Sequence, residues 1–362
     1  MYKFLFFDLW PYFIISIIFI LCYTYKIKNS SLILYYTLLI FCILRFNIGW
    51  DYITYVEEIK AGPVSILESR FEPLSKLVFL ISAFLNFYPL TFIFFGWITL
   101  LLIYKSINKN SITPTISWLV YYSLPLFFFA SLSTIRQSIA TALLLYSYEY
   151  LKEKKDIKFI LTISVATLFH ISGLIGLLFW IIVKYPLNKK YNIILFIASF
   201  IFPLFANNII INIIERAFLE NGFFSALSWY LKAENEGTSK LQYLYYILGI
   251  INLFFYDKLI RLDKSNRIMI SFVTFGVFIF NVLSFEPISA TRISAFFLIF
   301  LMYLIPYYSK IFPNARKIIE QSLVLILIAI SFFYLWIYID TYIKNESVKI
   351  SFIPYEFWFY NL

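Results

Sequence analysis

Apolar runs of about 15–20 residues follow one another along the whole of this 362-residue chain, each closed by a short polar break. That is the length a helix needs to cross a hydrocarbon layer about 30 Å thick. Lipid offers no partner to a backbone N–H or C=O, so such a chain must satisfy them within helices or a closed barrel. A barrel would alternate in strands of about ten residues, and no such alternation is present. Composition agrees: 62% hydrophobic, 22% aromatic and only 14% charged, where a soluble domain would carry about 25% charge. The predicted class is all-α, a polytopic integral membrane protein with about 11–13 transmembrane helices, some of them re-entrant or broken.

The runs place spans at 10–25, 32–46, 74–87, 90–104, 113–129, 133–151, 157–183, 192–206, 241–256, 268–285, 293–308 and 318–339. There is no internal repeat, low-complexity tract or dividing linker, which predicts one transmembrane domain over 1–362. The amino terminus reads as a retained first span, with Lys3 before it and no small-residue cleavage site after it. Cys22 and Cys42 lie inside apolar runs and read as small buried hydrophobes.

The net charge of +10 sits mainly in the breaks. With no basic surface interleaved with aromatics, it is a topology signal and not a nucleic-acid footprint. Breaks such as Lys26/Lys28, Lys105/Lys109, Lys152 to Lys158 and Lys310/Arg316/Lys317 go inside. Segments 47–73 and 207–240 lean acidic and go outside, the first through Asp51, Glu57, Glu58, Glu68 and Glu72. Two stretches resist alternation. Asn86 to Pro89 divides one run into two pieces, and 157–183 carries a weak point at Gly173 and Gly176, just after His170. For the latter, a broken helix and a plain crossing both satisfy the sequence.

Four ionisable sites interrupt the apolar runs: Arg45, Arg136, His170 and Arg292. Each costs about 2.5–3.5 kcal/mol at mid-membrane on insertion scales. Helical rise measured from the nearest basic break puts Arg45, Arg136 and Arg292 about 24–27 Å deep and His170 about 18 Å deep. All four fall in the outer half of the layer, which suggests a pocket for an anion. Arg45 and Arg292 also fit arginines snorkelling from helix ends. Arg136 fits that less well, because Ser138, Ala140, Thr141 and Ala142 around it suit tight helix packing. A lone histidine is more often a hydrogen-bonded structural residue than a base. If the chain after Arg45 is helical, Asp51, Tyr55 and Glu58 share a face able to hydrogen-bond and stack on a sugar. An ordinary interfacial helix is the alternative.

The ordered set resembles the EpsG-like branch of the Wzy-type polysaccharide polymerases, which includes O-antigen polymerases. The pieces that carry the resemblance are Arg45-x-x-x-Gly49-x-Asp51-x-x-x-Tyr55, Ile135-Arg136-Gln137-Ser-Ile-Ala140, Phe169-His170-Ile-Ser172, and a late Arg292 opening a span that ends near Pro306. The resemblance implies a glycosyltransferase at the periplasmic face of a bacterial inner membrane, joining oligosaccharide repeat units carried on undecaprenyl pyrophosphate. Its implied partners are that donor and acceptor, membrane lipid and a chain-length regulator protein. On this reading Arg136, Arg292 and Arg45 bind pyrophosphate, His170 and Asp51 are the catalytic candidates, and Tyr55, Glu58 and Gln137 contact substrate. No Asp-x-Asp pair or histidine–carboxylate cluster has metal spacing, so neither metal nor other cofactor is expected. Three rivals remain at this stage: a lipid-linked oligosaccharide flippase, which would place its charges at mid-membrane, a membrane acyltransferase built on one histidine, and a non-catalytic assembly partner in the same pathway.

Overall fold

The computed structural model describes residues 6–219, 241–344 and 352–360. It is built almost wholly of helices; the strands among the described residues are two of two residues each. Packing divides the chain into two compact units, 1–179 with 308–362, and 180–307.

The first unit runs through α1 (Trp10–Thr24), α2 (Ser30–Leu44), the strand β1 (Arg45–Phe46), α3 (Tyr52–Ala61), α4 (Pro63–Glu68) and α5 (Pro73–Phe84). It continues through α6 (Pro89–Asn110), α7 (Pro114–Ser123), α8 (Phe128–Ser133), α9 (Ile135–Lys152) and α10 (Asp156–Phe169). A 3-10 turn, Ile171–Ile175, leads to α11 (Gly176–Lys184). The second unit holds α12 (Lys189–Leu219), α13 (Leu241–Phe254), α14 (Tyr256–Leu262), α15 (Asn266–Val282), α16 (Pro287–Leu298) and α17 (Leu301–Leu304). The chain then returns to the first unit with α18 (Arg316–Lys344) and β2 (Glu356–Phe357).

Helix starts follow proline. Pro63, Pro73, Pro89, Pro114 and Pro287 stand in the first turn of their helices, where a missing N–H costs nothing. The break at Asn86 is as expected: its φ of 53° lies in the left-handed region that asparagine tolerates. The stretch 157–183 is broken, not a plain crossing. Helix α10 ends at Phe169 and His170 is extended.

Elsewhere the expected spans need correction. The run 113–129 is not continuous, because Leu124 is extended (ψ 120°) ahead of Pro125, whose ring disfavours α geometry in the residue before it. Segment 47–73 is largely helical, as α3 and α4, which is the helical reading the sequence allowed after Arg45. Helix α12 passes the expected end at 206 and continues to Leu219, with no glycine or proline after Pro203 to stop it. The rest of the expected outer segment, with Trp229 and Tyr230, lies outside the described residues.

Among the described residues two helices are long and apolar enough to cross a membrane outright, Pro89–Asn110 and Pro313–Ile337. Two more candidates are bent pairs: Gln242–Phe254 with Tyr256–Leu262 at 70°, and Pro287–Leu298 with Leu301–Ile311 at 42°. Shorter apolar helices complete an all-α polytopic membrane protein.

An aromatic core ties α3, α5, α6, α9 and α10 of the first unit together through Tyr52, Tyr55, Phe79, Phe92, Phe95 and Phe169, with Ile135 and Ile139. Tyr52 stacks on Phe92 at 4.1 Å and 11°, a contact that adds about 0.5–1.5 kcal/mol beyond the area it buries. In the second unit a buried polar knot sits within the apolar packing. Asn281 accepts from Gln242 Nε2 at 2.7 Å and from the Tyr246 hydroxyl, and its own amide donates to Ser199 Oγ at 2.8 Å. Such bonds fix helices α12, α13 and α15 where burial of oil in oil gives no driving force.

Candidate active site

The site of the first unit forms where helices begin and end. Helix α8 stops at Ser133, Thr134 breaks the chain, and α9 starts at Ile135. Arg136 therefore lies in the first turn of α9, where the helix dipole is positive and a cation costs about 0.3–1 kcal/mol. The side chain of Thr134 does not cap α9 but donates to the Ala130 carbonyl at 3.1 Å.

Arg136 Nη1 donates to Glu72 Oε2. Its guanidinium lies 4.3 Å from the Phe71 ring centroid and 6.0 Å from that of Tyr55, and the Tyr55 phenol also interacts with it. Arg136 Nε is buried and has no hydrogen-bond partner among the described residues.

Glu72 stands just ahead of Pro73, at the start of α5, yet its carboxylate does not cap that helix. Instead Oε1 accepts from the Ile171 backbone N–H at 2.9 Å, while Ser75 Oγ donates to the Phe169 carbonyl at 2.7 Å. Two bonds from α5 thus dock onto the break after α10. The Gly173 position has Ala166 and Thr167 backbone within 3 Å of where a Cβ would stand, so the broken segment folds directly against α10.

His170 is held locally. Its Nδ1 accepts from the Ser172 N–H at 3.2 Å and lies 2.6 Å from Ser172 Oγ. A nitrogen accepting a backbone N–H carries a lone pair there, so the partners assign the ring proton of the neutral form to Nε2.

Arg45 lies against Phe92 of the same core. It is 1% exposed, and none of its three guanidinium nitrogens has a hydrogen-bond partner among the described residues. The Phe92 ring centroid is 5.5 Å away, and the nearby phenols of Tyr12, Tyr52 and Tyr355 and the Cys42 thiol feel its charge. Burying an unpaired ion costs several kcal/mol, and a desolvated cation–π contact returns about 2. The protein leaves that deficit open.

Its backbone, by contrast, is pinned. Arg45 pairs with Phe357 and Phe46 with Glu356 in the β1–β2 ladder. Tyr355 Oη donates to the Phe41 carbonyl at 2.7 Å and Trp358 Nε1 to that of Ile43 at 3.0 Å. These satisfy carbonyls at the end of α2 that no later helical N–H can reach. Gly49, at φ 107°, passes so close to the Leu132 carbonyl that no side chain fits, and the Trp50 N–H donates to Ser133 Oγ at 3.1 Å. The segment after Arg45 is thereby fastened to the turn before Arg136.

The remaining predicted site residues divide. Asp51 precedes the first turn of α3 and is half-buried, as is Glu58, whose Oε1 accepts from Ser65 Oγ at 2.9 Å. Tyr55 is buried in the aromatic core, and Gln137 is buried beside Arg136. Arg292 belongs to the second unit. It does not open its span as expected but lies inside α16, whose start at Pro287 is capped by the buried Glu286 accepting from the Ile288 N–H at 3.0 Å and from the Ser289 N–H. Sequence reasoning counted Glu72 only as an outer-face acid and missed its pairing. The signal was a carboxylate immediately before a proline-started span.

A broken-helix membrane protein of this kind sets Arg136 against Glu72 at the start of one helix and buries Arg45 without a hydrogen-bond partner among the described residues. The model of the EpsG family matches residues 28–357, nearly the whole sequence, and the chain belongs to that family. No curated protein and no solved structure matches it. Membership points to a membrane polysaccharide polymerase-like role, acting on lipid-linked saccharides in general terms.

Proposed function

We propose that this protein is a metal-independent glycosyltransferase that polymerises oligosaccharide repeat units carried on undecaprenyl pyrophosphate. It would act at the periplasmic face of a bacterial inner membrane, as in O-antigen polymerisation, as one transmembrane domain. One observation carries the reading: Arg45 is buried with no hydrogen-bond partner among the described residues, while Arg136 meets one carboxylate at the start of a helix that already favours anions. A diphosphate at the membrane boundary supplies the missing charge, and guanidinium groups bind its oxygens without losing a proton.

In the reaction the acceptor sugar hydroxyl attacks the anomeric carbon of the donor, and the lipid diphosphate leaves. Arg136 and Arg45 stabilise the charge that develops on the leaving group. Arg292 is carried as a third cation on the sequence pattern alone. His170 and Asp51 are the proton-handling candidates from the sequence, while Tyr55, Glu58 and Gln137 face the acceptor. A chain-length regulator would bind elsewhere on the protein.

The test is purified protein in lipid nanodiscs with a defined undecaprenyl-pyrophosphate-linked repeat unit. A ladder of lengthening glycans is expected. Folded protein that yields no ladder but translocates the lipid, or acylates the sugar, would overturn the reading.

A further inference from the structure

The capped Nδ1 of His170 turns the search for a base to the carboxylates, Asp51 and Glu72. A neutral imidazole with its proton on Nε2 and its other nitrogen accepting the Ser172 N–H can donate a hydrogen bond but has no lone pair to offer a hydroxyl. The carboxylate nearest the cation is Glu72, half-buried, with Oε2 on Arg136 and Oε1 on the Ile171 N–H. Glu72 meets Arg136 through one nitrogen, the Tyr55 phenol also hydrogen-bonds the guanidinium, and the buried Nε has no partner among the described residues. A diphosphate offers several oxygens and two or more charges, so it competes well with a single carboxylate oxygen for the guanidinium.

We propose that Glu72 is the catalytic base of the polymerisation, masked by Arg136 until a lipid diphosphate draws the guanidinium away. The inference rests on the polymerase reading above. When the donor binds, Arg136 turns its charge to the diphosphate and Oε2 is released beside the reacting centre. Oε1 stays fixed by the Ile171 N–H, so the freed carboxylate keeps its place while its charge becomes available.

The acceptor hydroxyl oxygen then bonds to the anomeric carbon as the carbon–oxygen bond to the diphosphate breaks. The diphosphate departs with the bonding pair, and the hydroxyl proton passes to Glu72. The arrangement also prevents idle chemistry: with no donor bound, the base is occupied by its own ion pair.

The test uses full-length protein in nanodiscs with the defined lipid-linked repeat unit, and undecaprenyl pyrophosphate as the binding probe. Glu72→Gln keeps the shape but has one acceptor oxygen, so it can accept from Arg136 or from the Ile171 N–H and not from both. Its turnover is expected to fall by about 100-fold or more, the range of general base catalysis. Binding of undecaprenyl pyrophosphate should stay within about threefold or tighten, because the mask has lost its charge. Glu72→Asp should recover part of the rate. Turnover by Glu72→Gln within about threefold of the parent would overturn the proposal. So would parallel loss of binding and turnover that Glu72→Asp does not relieve, which marks a mere strut. Parent protein that makes no ladder sinks the polymerase reading itself, a separate result.

Discussion

At its C-terminal end helix α9 presents Glu149, 3% exposed, to the ammonium groups of Lys109 at 2.9 Å and Lys152 at 3.2 Å. At its N-terminal end the same helix presents Arg136 to one oxygen of Glu72. The first end goes further in pairing its charges. Lys109 and Lys155 also reach Glu153, at 3.0 and 2.6 Å, and Lys152 reaches Asn110 at 2.8 Å, with all three lysines substantially exposed. The second end is half-buried and short of anions, and the buried Arg45 against Phe92 of the aromatic core holds no hydrogen bond among the described residues. Exposed, saturated pairs cost little to keep and add little to stability. Buried, unsaturated cations are expensive, and a fold keeps them where a ligand completes them.

The largest expected difference between the ends comes from Arg136→Ala. It should abolish long glycans in a cell while leaving single repeat units at the surface, at normal protein levels. Arg45→Met should follow, with turnover down by about 100-fold in the purified ladder assay, the scale of one preorganised donor. Its thermal stability should hold or rise by about 1–4 kcal/mol, because an apolar side chain of similar volume replaces a buried unpaired charge. A stability loss there would mean that Arg45 is structural.

At the saturated end Glu149→Gln should cost about 1 kcal/mol or less, its lysine partners being solvent-screened. Turnover per folded molecule should remain within about twofold. The smallest effect is one of pH. Lys155 first and then Lys109 hold the Glu153 carboxyl at about 2, below the ordinary value of about 4.3. A depressed folded-state value means that this stabilisation is present above about pH 4.3 and fades as pH falls towards about 2. Melting curves across that window should show a small decline that Glu153→Gln removes.

The sequence made one class of feature legible and hid another. Arg45, Arg136 and His170 stood out because each interrupts an apolar run, a local contrast that survives any packing. The breaks at Asn86 and after Phe169 were equally local, marked by asparagine, proline and glycine. Pro125 gave the same kind of signal and was passed over within a run of high hydropathy. Glu72 was hidden because its meaning depends on Arg136, 64 positions along, and on Ile171, 99 positions along. Tyr355 and Trp358 lie more than 300 positions from the carbonyls they satisfy, and nothing in their neighbours announces it. What His170 does with Nδ1 depends on a 3-10 turn that the sequence left open between two readings.

The central claim is that the unsaturated cations of the first unit await a lipid diphosphate. Its most direct test compares the binding of undecaprenyl pyrophosphate with that of uncharged undecaprenol, in parent protein, Arg136→Ala, Arg45→Met and Glu149→Gln. The account expects parent and Glu149→Gln to prefer the diphosphate by about tenfold or more, and both arginine variants to lose most of that preference. Arginine variants that keep the full preference would contradict it.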